Sequence, residues 1–69
     1  MENKIKILKC KDVVQITSLS TSTMYRMIQE NRFPAPIKLS SHASGWIESE
    51  VYEWVNDRMN ERGQTNDHT

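Results

Sequence analysis

A run of polar side chains between residues 20 and 30 carries groups that bond to nucleic acid. Hydroxyls, an amide, a phenol and a guanidinium recur there at helical spacing, and such groups bond to phosphate oxygens and base edges. The side chains that share this side of the helix, with no carboxylate among them, are Thr21, Ser22, Tyr25, Arg26 and Gln29. Taken alone, the pattern fits an ordinary solvated helix face equally well, so the flanking segments must decide between the two.

The same stretch has the signals of a short helix with one buried side. Ser20 is placed as the N-cap, because its hydroxyl can accept from the free N–H groups of the first turn. Asn31 can end the helix in a left-handed conformation, and Pro34 prevents the helix from continuing. At 3.6 residues per turn, the side chains on the core side are Thr23, Met24, Met27 and Ile28.

A first helix is predicted from Lys11 to Ile16 or Thr17, with Asp12 complementing the helix dipole in its first turn. Very little chain then separates it from the N-cap of the second helix. Two short helices joined in this way predict a helix-turn-helix. If the turn needs positive φ at Ser18, serine costs about 1 kcal/mol relative to glycine.

Two short strands are predicted at residues 37–39 and 45–47, joined by the polar segment 40–44. Such a hairpin beside a helix-turn-helix is a wing, which commonly reaches a groove or the neighbouring backbone of DNA. Residues 5–8 predict either a short edge strand or an extended arm. The candidate DNA contacts of the wing are Lys38, Ser41, His42 and Ser44.

The C-terminal part predicts a third helix, capped by Glu48 or Ser49 and stopped at Gly63. An apolar stripe at helical spacing, expected to face the core, consists of Val51, Trp54, Val55 and Met59. Residues 1–63 are thus expected to form a single winged helix-turn-helix domain, with residues 64–69 as a disordered tail.

The chain has no net charge at neutral pH, which at first argues against a nucleic-acid partner. The distribution of charge along the sequence, however, favours such a partner. Seven basic and three acidic residues give +4 through Ile47, whereas two basic and six acidic residues give −4 from Glu48 onward. This asymmetry indicates a basic binding face in the first part, although an acidic helix is also a common solubilising surface.

Several function classes find little support. Cys10 is the sole cysteine, and His42 and His68 lie in a turn and in the expected tail, so no catalytic or metal-binding constellation is predicted. We expect no cofactor, no membrane span and no export, hence a cytoplasmic protein. Trp46 and Trp54 are predicted to be core residues rather than stacking platforms for single strands.

The order and spacing of three segments resemble the AlpA family of prophage regulators, related to phage excisionases and the MerR-like winged helix-turn-helix superfamily. The segments, within about residues 5 to 60, are Leu19-Ser20-x-Ser22-Thr23-x-Tyr25-Arg26-x-Ile28, Phe33-Pro34-x-Pro36-Ile37-Lys38-Leu39, and Gly45-Trp46-Ile47-Glu48-Ser49-Glu50-Val51 with Trp54. The resemblance implies a small α+β protein with three helices and a two-stranded wing. It also implies binding to promoter or attachment-site DNA, to regulate an integrase gene or direct excision.

The resemblance also implies roles for individual residues. The positions that match the recognition-helix motif are Ser20, Ser22, Thr23, Tyr25 and Arg26, and Lys38 matches the first strand of the wing. The chain departs from the family at Thr21 and His42, where a basic residue and an arginine are frequent. Family glycines are replaced by Ser18, Asn31 and Ser40. His42 is therefore expected to contact DNA mainly when its imidazole is protonated or held by DNA.

The leading hypothesis is sequence-specific, non-enzymatic binding of double-stranded DNA, with Arg26 as the main contact to guanine or phosphate. The alternative is a protein-binding module that docks on an integrase or a response regulator. Its basis is the acidic third helix and the weak overall charge.

Overall fold

The computed structural model describes residues 4–65 of the chain. Its elements, in order, are β1 (Ile7–Leu8), α1 (Cys10–Thr17), α2 (Thr21–Gln29), β2 (Ile37–Ser40), β3 (Ala43–Ile47) and α3 (Glu48–Thr65). The three strands form one antiparallel sheet with β3 in the centre. The architecture is the predicted small α+β winged helix-turn-helix, with β1 added to the edge of the two-stranded wing.

α1 begins one residue earlier than predicted, at Cys10, because Asp12 caps it from within. The Asp12 carboxylate accepts from the Lys9 backbone N–H at 3.1 Å. At the other end Ser18 adopts a left-handed conformation with φ 64°, and its N–H donates to the Val14 carbonyl at 2.7 Å. The turn thus uses positive φ at the position where glycine would be favoured.

Both predicted ends of α2 are confirmed. The Ser20 hydroxyl accepts from the Thr23 N–H at 3.1 Å, as an N-cap does. Asn31 is left-handed with φ 61°, and the following Arg32 N–H returns to the Met27 carbonyl at 2.8 Å. These local hydrogen bonds fix the length of the helix and the direction in which it presents its polar side.

The wing is tighter than predicted. β2 and β3 pair through Ile37 with Gly45, Lys38 with Ser44 and Ser40 with Ala43, with an irregularity between Lys38 and Ser40. Only Ser41 and His42 form the turn, so Ser40, Ala43 and Ser44 belong to strands rather than to the connecting segment. On its other side β3 pairs with β1, which confirms the edge-strand alternative for the N-terminal segment.

The hydrophobic core joins every element except β2. Its buried residues are Leu8, Val13, Met24, Met27, Phe33, Trp46 and Val51. The Trp46 indole N–H donates to the Pro34 carbonyl at 3.0 Å, and that of Trp54 donates to the Arg32 carbonyl at 2.8 Å. Trp54 also packs edge-on against Phe33, with ring centroids 4.8 Å apart. Both indoles are therefore structural, as predicted, and they tie the connector after α2 to the sheet and to α3.

α3 departs from its prediction in two places. The apolar stripe faces the core only at its start: Val51 is fully buried, but Met59 is 48% exposed. The helix runs past Gly63 to Thr65, so the expected stop at Gly63 is wrong by two residues. Of the predicted disordered tail, residues 66–69 lie outside the described residues.

Candidate nucleic-acid interface

The polar side of α2 is open to solvent. The described side chains of Thr21, Ser22, Tyr25, Arg26 and Gln29 are all exposed, whereas Met24 and Met27 on the opposite side are buried. The first turn of the helix contains no acidic residue, so no carboxylate within that turn neutralises the positive end of its dipole. An exposed helix of this kind can approach a phosphate backbone and insert its polar side chains into a groove.

Ser20 and Thr23 lie at the start of α2, next to this surface, and their side chains are hydrogen-bonded to each other. The Ser20 hydroxyl donates to the Thr23 hydroxyl at 2.9 Å while accepting from the Thr23 N–H. Thr23 is also half-buried. Their first task is to hold the start of α2, and a contact with a DNA phosphate would use the Thr23 O–H, which neither of these hydrogen bonds consumes.

Arg26 is the arginine whose charge is available. Arg32 pairs with Glu30 at 3.2 Å, and Arg58 pairs with Glu61 while lying over the ring of Trp54. Among the arginines in the described part of the chain, Arg26 is the one whose guanidinium has no interaction partner. A free guanidinium on an exposed helix can form the bidentate contacts that recognise guanine or phosphate.

Tyr25 connects α2 to the wing. Its ring meets the buried Trp46 ring edge-on, with centroids 6.1 Å apart and planes at 67°. The side chain is nevertheless 43% exposed. An aromatic ring held against the core on one side and open to water on the other loses little freedom on binding, which favours a rigid contact.

The pairing of the wing places two further candidates on the same side as Tyr25. Side chains of a strand alternate between faces, and directly paired residues share a face. Ser44 is two residues before Trp46, and Lys38 pairs with Ser44. Lys38 and Ser44 therefore project from the sheet face against which Tyr25 packs, and the structure brings the wing candidates to the polar side of α2.

The tip of the wing carries the last two candidates. The Ser41 hydroxyl lies 3.2 Å from Nδ1 of His42, and the His42 N–H donates to the Ser40 hydroxyl at 3.3 Å. All three residues are exposed. The tip is thus a compact polar turn in which one ring nitrogen of His42 already has a neighbour.

Sequence reasoning missed a contribution from α1. Lys11 and Gln15, one turn apart on α1, line a shallow groove together with Thr21 at the start of α2. Both side chains are exposed. Their spacing of four residues was the available signal, since it places them on one side of a helix. A cation thereby lies beside the positive end of α2.

Asp12 also lines this groove, but the carboxylates of α3 lie elsewhere. Glu50, Glu53 and Asp57 project from α3, and they make no ion pair with the polar side of α2 or with the wing. Residues 4–62 hold no group of three or more histidine, cysteine or acidic side chains placed to bind a metal ion. No helix in this part of the chain is both long enough and apolar enough to cross a membrane.

The fold and this surface define a small winged helix-turn-helix protein. The sequence profile of the family described as Prophage CP4-57 regulatory protein (AlpA) matches residues 6–59, and the chain therefore belongs to that family. It is 30% identical over 60 residues to the DNA-binding transcriptional activator AlpA of Escherichia coli K12, covering 78% of this chain and 86% of that protein. It is 32% identical over 54 residues to the protein ORF88 of Enterobacteria phage P4, covering 78% of this chain and 61% of that protein.

Proposed function

We propose that this protein is a sequence-specific DNA-binding regulator of a prophage or related mobile element. The observation that carries the proposal is the exposed, carboxylate-free side of α2 with its unpaired Arg26, next to the polar face of the wing. Membership of the AlpA family and the similarity to a DNA-binding transcriptional activator support it. Such a protein acts on DNA and belongs with the chromosome in the cytoplasm.

In the proposed complex α2 enters the major groove. Arg26 reads guanine or grips phosphate, Tyr25 and Gln29 contact base edges, and the hydroxyls of Thr21 and Ser22 bond to the backbone. The wing then follows the adjacent backbone. Its contacts there are Lys38, Ser41, His42 and Ser44, the residues that the pairing and the turn place on its polar side and tip.

The finer proposal is that the bound site lies beside an integrase gene or an attachment site. Binding there would switch on the integrase gene or direct the integrase toward excision. Footprinting on DNA upstream of a neighbouring integrase gene tests this proposal, because it predicts a protected segment there. Binding that protects no discrete segment would contradict it.

The assignment of Arg26 is tested by comparing two alanine variants on the protected fragment. Arg26→Ala is expected to lose about 1–3 kcal/mol of binding free energy, with relaxed selectivity if Arg26 reads a base. Arg58→Ala is the matched control, because Arg58 is engaged on α3 with Glu61 and Trp54. Equal affinity of Arg26→Ala and the unaltered chain would refute the assignment.

A second candidate function is docking on an integrase or response regulator. It is favoured by a groove between the connector and α3 that is lined by Pro34, Ala35, Trp54 and the carboxylates Glu50, Glu53 and Asp57. A salt titration separates the two functions. The logarithm of the DNA affinity should fall with the logarithm of salt concentration by about 0.9 per phosphate contacted, whereas binding of a protein to this groove releases no counterions from DNA and should respond less.

A further inference from the structure

The outer half of the wing is not anchored in the hydrophobic core. All four residues of β2 are exposed, as are Ser41 and His42 in the turn and Ser44 in β3. Within the described part of the chain, β2 pairs with β3 and with no other strand. The position of Lys38 relative to α2 is therefore set by the contacts that hold β3.

Trp46 anchors β3 in the core. It is 1% exposed, its indole N–H donates to the Pro34 carbonyl at 3.0 Å, and it pairs with Leu8 of β1. Ser44 lies two residues earlier on the same face of the strand, and Lys38 is its partner in β2. Lys38 and Ser44 thus extend outward from a residue that the core keeps fixed.

Tyr25 joins α2 to this anchor from the exposed side of the helix. Its ring meets that of Trp46 edge-on, with 6.1 Å between the centroids, although Tyr25 is itself 43% exposed. Edge-to-face pairs favour a limited range of separations and angles, which contacts between aliphatic side chains do not. Met24, the preceding residue, is fully buried. α2 is therefore held at two positions about 100° apart around its axis, and a helix held in this way resists rotation.

We propose that Tyr25 is a positioning residue that sets, through Trp46, the spacing between the polar side of α2 and the pair Lys38 and Ser44 of the wing. The inference deepens the proposed function and rests on it, because both surfaces are proposed to contact DNA. The ring has this role, whereas a base contact by Tyr25 would use its hydroxyl. Holding both surfaces at one spacing before binding lowers the ordering cost of the complex, and it favours DNA whose groove and backbone match that spacing.

A double-mutant cycle on the protected fragment, measured by fluorescence anisotropy, tests whether Lys38 depends on Tyr25. Lys38→Ala is combined with Tyr25→Leu, which removes the ring, and separately with Tyr25→Phe, which keeps it. With Tyr25→Leu, the combined loss of affinity should be smaller than the product of the single losses by about threefold or more, because a displaced Lys38 contributes less. With Tyr25→Phe, the losses should multiply. Gln29→Ala is the matched control: Gln29 lies one turn along the same exposed side of α2, and its losses should also multiply with those of Lys38→Ala.

The arrangement itself is tested on the free chain, without DNA. Residual dipolar couplings of the backbone N–H groups report the orientation of β2 and β3 relative to α2. The couplings of the unaltered chain should fit the structure with one alignment tensor for α2 and the wing. Those of Tyr25→Leu should not, whereas those of Tyr25→Phe and Gln29→Ala should fit as well as those of the unaltered chain.

Tyr25→Leu couplings that still fit the structure with one tensor would overturn the proposal, because the core alone would then set the arrangement. Losses that multiply for Tyr25→Leu and Lys38→Ala would also overturn it. If the unaltered chain binds no discrete DNA site, the proposed function fails, but the couplings still decide the role of Tyr25. If Tyr25→Leu fails to fold by circular dichroism, Tyr25→Met, with an unbranched apolar side chain, replaces it in both measurements.

Discussion

α2 and α3 rest on the same hydrophobic core but expose different chemistry to solvent. Each is anchored by fully buried side chains, Met24 in α2 and Val51 in α3. The exposed side of α2 carries hydroxyls, an amide and the unpaired Arg26, whereas that of α3 carries several carboxylates. The arginine in the middle of α3, Arg58, is engaged by its own neighbours.

The difference shows why a net charge of zero says little about partners here. Most basic residues precede Ile47 and most acidic residues follow it, so the sum cancels while each surface keeps its own potential. Partner chemistry is therefore decided one face at a time. Two predictions test whether the two helices differ as described, and two more test the residues that flank α2 and the tip of the wing, from the largest expected effect to the smallest.

The buried and exposed methionines give the largest contrast. Met24 on α2 is fully buried, so Met24→Ala should reduce the free energy of unfolding by about 2–5 kcal/mol through lost burial and a cavity. Met59 on α3 is 48% exposed, so Met59→Ala should change it by no more than about 0.5 kcal/mol. Urea denaturation followed by circular dichroism measures both. Similar losses would mean that the distal part of α3 is packed after all.

A carboxylate added to each helix tests the difference in surface potential. Gln29→Glu places a negative charge on the polar side of α2 and should weaken DNA binding by about 1 kcal/mol or more through repulsion of phosphate. Asn56→Asp adds the same charge to exposed α3 and should leave binding nearly unchanged. Fluorescence anisotropy at low salt measures both affinities. Equal losses would remove the distinction between the helices.

Two residues with positive φ flank α2, and replacing each with glycine should change the free energy of unfolding by different amounts. Ser18→Gly is expected to raise the free energy of unfolding by about 1 kcal/mol. The φ of 64° is strained for a residue with a Cβ, and glycine has none. Asn31→Gly should gain less, since asparagine tolerates this conformation better. Thermal unfolding compares the two variants. No gain from Ser18→Gly would show that the unfolded-state entropy of glycine offsets the relief of strain.

The smallest effect is expected at the tip of the wing. A contact between the exposed His42 and phosphate should add about 0.5 kcal/mol to DNA binding. His42→Ala should therefore weaken binding by about that amount in anisotropy titrations. An unchanged affinity would exclude a role for His42.

The features predicted correctly from sequence are those set by neighbours in the chain. Ser20 as a cap and Asn31 as a left-handed stop follow from hydrogen bonds within a few residues. The core side of α2 follows from its period, and the position of Trp46 follows from its place on a strand beside that core. Together these signals gave α2 with its bounds and the exposure of its polar side.

The features missed depend on contacts between distant segments. Periodicity placed Met59 on the apolar stripe, but whether core exists beneath that turn of α3 depends on where the sheet ends. Lys11 approaches Thr21 only through the crossing of α1 and α2. Ile7 approaches Gly45 only because β1 pairs with β3, forty residues later in the chain. The pattern of residues within one segment cannot predict which distant segments will lie beside it.

The contact between Tyr25 and Trp46 gives the molecule its own optical reporter. Trp46 is 1% exposed, whereas Trp54 is only half-buried, so the emission of the two indoles should respond differently to a soluble quencher. Tyr25 is close enough to Trp46 to pass excitation energy to it. A ligand that shifts α2 relative to the wing would therefore change the light from Trp46, and no dye need be attached to follow it.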